Sequence, residues 1–427
     1  MAARCTRRRP CFSRRCNSFL SRELVIPPPT IEPSSTAAAA PGSDVLLTRP
    51  FMLMLSMQFC FALSYSSFFL LPKYLARQFN AGPAVIGAVA ATALLAGVLA
   101  VPLIGALIDR GSRRRIIGLG ATVNALSACG FAFVHSISVP LYALRALHGI
   151  SYALVFNAIV TWAADLAPPK KLSQAIGLAG AANTLANAVA PAGGEYIADH
   201  YGWAGVFLLG GGAAFIAALL ACGIREPRVA ASSVARAEST EPSALRHVRD
   251  PVRAGAFVCS FAAGAAFGVM FTFTQPYALL LGADKVSSFF VAYTACAMCM
   301  RLFLGSVADR IGRRPIAFVA LALYGLVACV TSQLRPNLLF AVGALLGVAH
   351  GLLYPALNAL AVEGVSRVRR GAVMTYFLGS FNAGFAFWVM GMGVVAKAYG
   401  YPVVFVATGL LVWLSLSFLP KPRKLAA

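Results

Sequence analysis

Long apolar segments alternate with short polar ones along most of this chain of 427 residues. The apolar segments are about 18–25 residues long, which is the length of an α-helix that crosses a bilayer. Gly and Pro occur inside many of them, as membrane helices tolerate. The pattern predicts an all-α membrane protein with twelve transmembrane helices, at about 51–72, 84–107, 116–136, 139–164, 172–197, 203–223, 252–274, 286–307, 315–333, 337–362, 371–396 and 401–419.

The composition agrees with this pattern. The chain is 59% hydrophobic and only 12% charged, and its mean hydropathy is +0.76. A soluble globular domain carries roughly 25% charged residues. One water-soluble core could not bury so much apolar surface, which excludes a soluble domain and makes the lipid bilayer the expected surroundings.

Polar stretches divide the chain into two halves. Residues 1–50 form a basic, Pro-containing and Ala-containing stretch that we expect to be a disordered tail. Residues 224–251 are the longest internal polar segment, with six predicted spans on each side. We therefore predict six-helix bundles at 51–223 and 252–419, a cytosolic linker at 224–251 and a short cytosolic tail at 420–427.

The net charge of +22 is explained by where the cations lie. If the N-terminus is cytosolic, the cytosolic segments hold 29 of the 36 Lys and Arg residues, and two more lie inside spans. Such a bias orients membrane proteins with the basic loops inside. It places both termini in the cytosol, most simply of the cell (inner) membrane, and gives no reason to expect a nucleic-acid partner. Five cations remain for the outer loops: Lys73, Arg77, Lys285, Arg335 and Lys397.

Two short motifs occur twice along the chain. One combines an acid with several arginines after the second and eighth apolar segments, at Gly105–Arg115 and Gly305–Arg314. The other has the pattern His-Gly-x-x-Tyr in the fourth and tenth segments, at His148–Tyr152 and His350–Tyr354. The copies are offset by 200 and 202 residues. Nearly equal offsets in two independent motifs indicate that the second half of the chain duplicates the first.

These motifs resemble those of the major facilitator superfamily over about residues 50–420. The acid-arginine motif is similar to the family signature G-x-x-x-D-R-x-G-R-R; its second copy fits fully, and its first has Gly111 and Ser112 in swapped order. The stretch Arg145–Gly149 resembles the R-x-x-x-G motif of the fourth span. The resemblance implies two pseudo-symmetric six-helix bundles that rock about a central path, most simply in a monomer.

The fifth span resembles the drug/proton antiporter branch of that family. Its stretch Ala186–Gly194 is similar to the branch motif G-x-x-x-G-P-x-x-G-G, with alanine at the first two glycines. Proline kinks a helix, and glycine lets a neighbouring helix approach. We therefore expect a helix bend at Pro191, Gly193 and Gly194; a simple packing notch is compatible with it.

Each repeated acid-arginine loop places a carboxylate beside several guanidinium groups at a helix end. Such groups form charge-assisted hydrogen bonds that break and reform as two bundles rock. A cytosolic anchor that only fixes topology is the alternative role. We predict gating by Asp109, Arg110, Arg113, Arg114, Asp309, Arg310, Arg313 and Arg314.

Polar side chains mark one face of several spans. The spacing i, i+3, i+7 puts Arg145, His148 and Tyr152 on one helix face. An arginine at the membrane centre costs at least roughly 2.5–3.5 kcal/mol unless it faces a polar cavity or partner. The resemblance implies that the first, fourth, seventh and tenth spans line the central path. We predict that the path is lined by Gln58, Tyr65, Arg145, His148, Tyr152, Gln275, His350, Tyr354 and Asn358.

Some of these residues have a simpler explanation. Tyr and Asn often form interhelical hydrogen bonds in membrane proteins. Arg301, in the eighth span, is expected to support the second acid-arginine loop rather than to contact substrate.

The acids are absent from the middle of the predicted spans. Apart from Glu195 at the outer end of the fifth span, the other thirteen of the fourteen acids lie near loops or span ends. The resemblance implies proton coupling, and histidine titrates near neutral pH. His148 and His350 are therefore the expected proton carriers, followed by Glu195.

The favoured function is secondary active export of a small organic molecule, coupled to protons. No G-x-x-x-x-G-K-[ST], H-E-x-x-H or G-x-S-x-G motif suggests a nucleotide-driven pump or an enzyme, and we expect no cofactor or metal. Two alternatives stay open. One is uptake or exchange of an organic anion attracted by Arg145, and the other is a sensor or transceptor on a transporter scaffold.

Overall fold

A computed structural model describes residues 46–110, 112–166, 168, 171–223, 251–303, 311–363, 365 and 370–419. The predicted tail at 1–45, most of the linker, the C-terminal tail and the loop that holds Asp309 and Arg310 lie outside these residues. The described chain is built from helices: α1 Arg49–Ser67, α2 Leu71–Phe79, α3 Pro83–Arg110, α4 Arg113–Gly130, α5 Val139–Leu166, α6 Leu172–Gly223, α7 Pro251–Leu280, α8 Ser287–Phe303, α9 Arg313–Thr331, α10 Leu339–Ala361, α11 Arg370–Tyr399 and α12 Tyr401–Ser415.

The helices account for the twelve predicted spans. Ten helical stretches among the described residues are long and apolar enough to cross a membrane. One of them, Gly177–Gly223, contains two spans, because Gly202 has a φ of 78° and breaks the helical path inside α6. The helix α8 supplies the twelfth span with 17 residues. The predicted all-α membrane fold is therefore confirmed.

Two spans extend beyond their predicted ends. The first continues through a short 3₁₀ turn into α2 and ends at Phe79, and the seventh ends at Leu280. Both extensions begin near a proline, Pro72 and Pro276, and carry polar residues that interrupt the apolar pattern. A hydropathy pattern alone therefore ends these helices about two turns too early.

The two halves use the same packing scheme. In the N-terminal bundle, α1 and α4 both pack on α6, which contains the fifth and sixth spans. The helix α5 packs on α3 and α4. In the C-terminal bundle, α7 packs on α11, α9 on α12, and α10 on α8 and α9. The bundles meet along α3 with α11 and along α6 with α8. These pairings relate each helix to its counterpart in the other half, as two pseudo-symmetric bundles require.

A third repeat becomes visible at the hinge between the last two spans of each half. Gly202 and Gly400 have nearly the same backbone angles, φ 78° and ψ 169° against φ 83° and ψ 167°. A positive φ of this kind is accessible mainly to glycine. Each glycine follows a tyrosine and precedes an aromatic residue, at an offset of 198 residues. The turn is thus a third feature that both halves share at nearly the same offset.

The outer surface of the bundles is apolar. Large side chains such as Leu99, Leu126, Phe133, Leu209 and Leu414 are more than half exposed in the isolated chain. A soluble monomer does not expose apolar surface on this scale. Lipid tails are the solvent that this surface fits.

Candidate substrate path and inter-bundle clasp

A buried arginine and histidine lie side by side in α5. Arg145 Nη1 donates a hydrogen bond to His148 Nδ1 at 2.8 Å. A guanidinium group has no acceptor, so Nδ1 accepts and the histidine proton is assigned to Nε2. Arg145 is 9% exposed and His148 is fully buried. Both lie about 9–14 Å along the helix from its start at Val139, near the middle of a bilayer core about 30 Å thick.

Aromatic rings enclose His148 from α1. The rings of Phe68 and Tyr65 lie 4.0 and 5.0 Å from the imidazole, centroid to centroid. Tyr65 also stacks on Tyr152 at 3.8 Å, and Arg145 Cζ lies 5.7 Å from the centre of the Phe68 ring. The i, i+3, i+7 stripe therefore faces α1, where Tyr65 contacts both His148 and Tyr152.

His350 occupies the matching place in α10 with different partners. Its Nδ1 makes a 3.3 Å hydrogen bond with the hydroxyl of Tyr324. The rings of Phe267, Tyr293 and Tyr354 surround it at 5.0, 5.8 and 5.9 Å. These four direct partners are uncharged, whereas His148 makes a hydrogen bond with the cationic Arg145. Asn358 lies one helical turn beyond Tyr354 on the same helix.

The glycine after each histidine fixes this placement. A side chain at Gly149 would collide with the backbone of Ala93 in α3, and one at Gly351 would meet Ala297 and Met300 in α8. The close approach of two helix backbones therefore requires glycine at both positions. It holds the preceding histidine beside the aromatic rings, which explains the repeated His-Gly pair.

A row of aromatic rings joins the two histidines across the molecule. From Tyr65 the row continues to Phe69 at 6.2 Å and then, across the bundle boundary, to Phe271 at 5.1 Å. Phe271 stacks on Phe267 at 4.1 Å, and Phe267 lies beside His350. The two predicted halves of the path therefore meet in one aromatic interior.

The two predicted glutamines have different surroundings. Gln58 Nε2 donates to Asn183 Oδ1 of α6 at 3.3 Å, within the N-terminal bundle. Gln275 Nε2 donates to the carbonyl oxygen of Phe69 at 2.7 Å, across the bundle boundary. Gln275 therefore joins the two bundles, whereas Gln58 joins two helices of one bundle. Each side-chain oxygen is buried and has no hydrogen-bond partner among the described residues.

A buried ion pair ties the bundles together at one end of the molecule. Lys73 of α2 pairs with Glu195 of α6, and their side chains are 1% and 3% exposed. Glu195 also accepts hydrogen bonds from the backbone N–H groups of Val286, at 2.9 and 3.1 Å, and Ser287, at 2.9 Å, where α8 begins. Lys73 donates to the carbonyl oxygen of Asp284 at 2.8 Å. We call these five residues the inter-bundle clasp.

Close backbone contacts between α3 and α11 also join the two bundles near the clasp. A Cβ atom at Gly87 of α3 would lie 2.8 Å from the carbonyl oxygen of Val389 and 3.3 Å from Gly393 Cα, both in α11. Gln275 and Phe69 meet at the same end. This end, which holds the loops around 80–82, 281–286 and 400, is the closed end of the molecule.

The sequence interpretation of Lys73 was wrong. We expected it in an outer loop, but it is buried inside the extended first span and makes the main contact of the clasp. Its partners are 122 and 211 positions away along the chain, so no local pattern indicates them. The one available signal was Glu195, the single acid placed inside a predicted span.

Arg301 makes a further polar contact between the bundles, away from the clasp. Its Nη1 donates to Thr184 Oγ1 of α6 at 3.1 Å. Thr184 lies about 16 Å along α6 from Glu195, toward the other end of the molecule. Arg301 therefore reaches the opposite bundle near the centre of the molecule, a contact that the sequence did not indicate.

The chain is similar to known membrane proteins in both sequence and structure. Its sequence matches the model of the Major Facilitator Superfamily over residues 54–300 and 281–427. The chain belongs to this superfamily of membrane transporters. It is therefore a multi-pass membrane transporter that handles small molecules, and not an enzyme.

Relatives and structural neighbours agree with this assignment. The chain is 26% identical to the multi-drug resistance efflux pump PmrA of Streptococcus pneumoniae, over 74% of this chain and 80% of that protein. It is also 26% identical to the multidrug resistance protein MdtG of Salmonella typhimurium, over 75% and 81%. The crystal structure of a point mutant of the nucleoside transporter NupG has a TM-score of 0.74 at 15% identity, covering 87% of this chain and 99% of that one.

A second structural neighbour is a bacterial homologue of the human lysosomal transporter Spinster in an inward-facing, unoccupied conformation. Its TM-score is 0.71 at 15% identity, covering 88% of this chain and 97% of that one. At these identities the two structures support the major facilitator fold alone.

The family signature loops are partly described. Asp109 and Arg110 end α3, Arg113 and Arg114 begin α4, and Arg313 and Arg314 begin α9. Ser112 caps α4 with an ordinary φ of −67° and accepts a hydrogen bond from the backbone N–H of Arg115 at 3.3 Å. Gly312 instead begins α9 with a φ of 100°. The swapped Gly–Ser order thus gives one copy a serine cap and the other a glycine turn.

The branch motif in α6 packs against α1. The helix keeps helical backbone angles through Pro191 and departs from them only at Gly202. A Cβ atom at Gly194 would lie 3.0 Å from Leu70 Cδ1, and Gly193 has no neighbour within 4 Å. Gly194 thus allows α6 to pack closely against Leu70. The predicted bend at Pro191 stays a prediction.

Proposed function

We propose that the protein exports a small organic molecule from the cytosol by alternating access and uses the proton gradient to do so. The observation that carries the proposal is the inter-bundle clasp. It consists of charge-assisted hydrogen bonds between two bundles of matching architecture. Such hydrogen bonds are strong when they are buried away from water, and water replaces them when the bundles separate. They can therefore stabilise the closed state of a gate without preventing it from opening.

The arginine distribution supports an orientation for this gate. The positive-inside rule puts the tails, the linker at 224–251 and the acid-arginine loops in the cytosol, and the clasp on the outer side. In this orientation the clasp closes the outer exit, and a monomer in the cell (inner) membrane takes up substrate from the cytosol. The resemblance of Ala186–Gly194 to the antiporter motif and the efflux names of the relatives favour export.

The cytosolic gate is assigned to the acid-arginine loops. When the clasp opens, Asp109, Arg110, Arg113 and Arg114 of one bundle, and Asp309, Arg310, Arg313 and Arg314 of the other, close the cytosolic side by new ion pairs. The two gates then never open together, which is the requirement of alternating access.

Proton coupling is assigned to the two buried histidines. Buried carboxylates among the described residues are limited to Glu195, which is engaged in the clasp. His148 and His350 lie instead at mid-membrane depth along the aromatic interior, where a titrating group can respond to substrate. They carry the proton in this proposal, and Glu195 belongs to the outer gate.

Vesicle transport tests direction and coupling together. The full chain is expressed in cells from which inverted and right-side-out vesicles are prepared, and a panel of radiolabelled organic compounds is applied with an imposed pH gradient. We expect accumulation in inverted vesicles with an acidic lumen and loss of accumulation when the gradient is collapsed. Accumulation in right-side-out vesicles alone would contradict export. Accumulation that does not change when the pH gradient is collapsed would contradict proton coupling.

Cysteine labelling tests the orientation independently. A cysteine at position 238 in the linker should react only with reagents that enter the cytosol, and one at position 284 should react from outside. The side chain of Asp284 is 96% exposed, so the second position is open to reagent. Opposite labelling of the two sites would overturn the orientation.

A further inference from the structure

The interior of the N-terminal bundle contains an unneutralised cation. Among the described residues, the buried charged side chains are Lys73, Arg145 and Glu195. Lys73 and Glu195 neutralise each other in the clasp. Arg145 contacts a histidine nitrogen and the face of Phe68, and forms no ion pair with a described residue. Its charge therefore has no protein counter-ion in this part of the chain.

The hydrogen-bonding groups around Arg145 are donors that lack acceptors. Arg145 Nε and His148 Nε2 are buried and have no hydrogen-bond partner among the described residues. Since His148 accepts through Nδ1, its Nε2 carries the proton and donates. Unpartnered buried donors beside a permanent cation are complementary to an anionic oxygen group.

The walls of the same site are aromatic. Tyr65 and Phe68 lie against His148, Tyr152 stacks on Tyr65, and the row of rings leads on to Phe271 and to His350. Flat rings bind planar groups by stacking or edge contacts. A cationic ligand at this site would be repelled by the guanidinium group of Arg145, which forms no ion pair with a described residue.

We propose that the transported molecule is a planar aromatic anion whose carboxylate, or a similar oxyanion, binds Arg145 and His148 while its ring system lies against Tyr65 and Tyr152. This inference rests on the proposed function and names the substrate class of the same path. Arg145 is the specificity-determining residue. Removal of its charge should therefore abolish discrimination by ligand charge and leave the aromatic contacts in place.

Three probes of one shape and different charge test the inference. They are 2-naphthoate, the neutral 2-naphthamide and the cationic 2-naphthylmethylammonium, bound to the purified full-length protein in nanodiscs and followed by equilibrium dialysis. We expect 2-naphthoate to bind about tenfold or more tightly than either other probe, because it alone pairs the guanidinium group with a negative charge and two acceptor oxygens. Tighter binding of the ammonium probe would overturn the inference.

Variants of the arginine identify the site. Arg145→Gln should bring 2-naphthoate to the affinity of 2-naphthamide, and Arg145→Lys should retain part of the preference because it keeps the charge without the forked donors. Arg335→Gln removes an exposed cation from the loop before α10 and serves as the matched control, with no expected change. Unaltered 2-naphthoate binding in a well-folded Arg145→Gln protein, or no binding of any probe to the wild type, would contradict the assignment.

Transport of the same probes separates this inference from the proposed function. Transport of the ammonium or amide probe, but not of 2-naphthoate, would refute the anionic substrate class. The proposal that the protein is an exporter would be unaffected. Movement of 2-naphthoate into right-side-out vesicles alone would support the substrate class and refute export. If Arg145→Gln fails to fold, the charge series on the wild type and on Arg145→Lys still decides the question.

Discussion

The two bundles share a framework but not their buried charges. Both have the same helix pairings, the same Gly turn before the last span, and a His-Gly pair that is packed against a neighbouring helix. Yet Lys73, Arg145 and Glu195, the buried charged side chains of the described chain, all belong to the N-terminal bundle. The packing residues are therefore shared between the bundles, and the buried charges are not.

One pair of matching positions shows this divergence in detail. Pro72 and Pro276 occupy matching places, so Lys73 corresponds to Tyr277. Lys73 reaches the other bundle, whereas the hydroxyl of Tyr277 donates to the carbonyl oxygen of Ser332 within its own bundle, at 2.9 Å. The N-terminal bundle thus supplies the ionic side of the clasp. The C-terminal bundle supplies backbone groups at the start of α8.

Loss of the clasp lysine should have the largest effect. Lys73→Met leaves the buried carboxylate of Glu195 without its cation, and breaking a buried ion pair on one side costs about 3–5 kcal/mol. We expect the outer-closed state to be lost and transport in vesicles to fall about 100-fold or more. Tyr277→Phe, at the matching position, should change transport little.

The double variant separates gating from misfolding. Lys73→Met combined with Glu195→Gln removes both charges, so it should recover part of the transport lost in the single variant. Equal loss in Lys73→Met and Tyr277→Phe, or simple additivity in the double variant, would show that the ion pair is only a packing element.

The two acid-arginine loops should contribute about equally to transport, unlike the two halves of the clasp. Asp109→Asn and Asp309→Asn each remove one carboxylate from the proposed cytosolic gate, and we expect each to reduce transport about tenfold with normal abundance in the membrane. Initial rates in vesicles, normalised to protein, measure this. Normal rates in both variants would show that the loops only fix the topology. A loss in one variant alone would show that the two bundles also differ on the cytosolic side.

The two histidines should differ in their response to pH. Replacement by glutamine keeps the hydrogen bonding and removes the titration. His148→Gln should reduce pH-driven accumulation roughly fivefold, while exchange of substrate at equal pH continues. His350→Gln should have the smaller effect, because its partner is a tyrosine hydroxyl and not a cation. Full pH dependence in both variants would assign the histidines to packing.

Deletion of the tail should have the smallest effect. Residues 1–45 precede the first helix and carry the composition of a disordered segment. A variant without them should insert and transport at nearly the normal rate, as measured by membrane abundance and vesicle uptake. Normal abundance with lost activity would instead favour a sensor that uses the basic tail as a contact.

The sequence predicts the framework of this protein well, because framework residues leave periodic signals. Apolar length indicates each span, and the spacing of Arg145, His148 and Tyr152 indicates one face, which the structure places against Tyr65. The clasp leaves no such signal. Its members come from α2, α6 and the start of α8, and three of its five residues take part through backbone atoms, which any residue type could supply.

The most direct measurement is the distance across the closed end in a lipid nanodisc. Spin labels at Tyr201 and Tyr399, which are 75% and 73% exposed and precede the matching glycine turns, report this distance by pulsed electron paramagnetic resonance in a cysteine-free background. The account predicts two distance populations, with the longer one enriched by Lys73→Met. A single distance that Lys73→Met leaves unchanged would contradict a gate at the clasp.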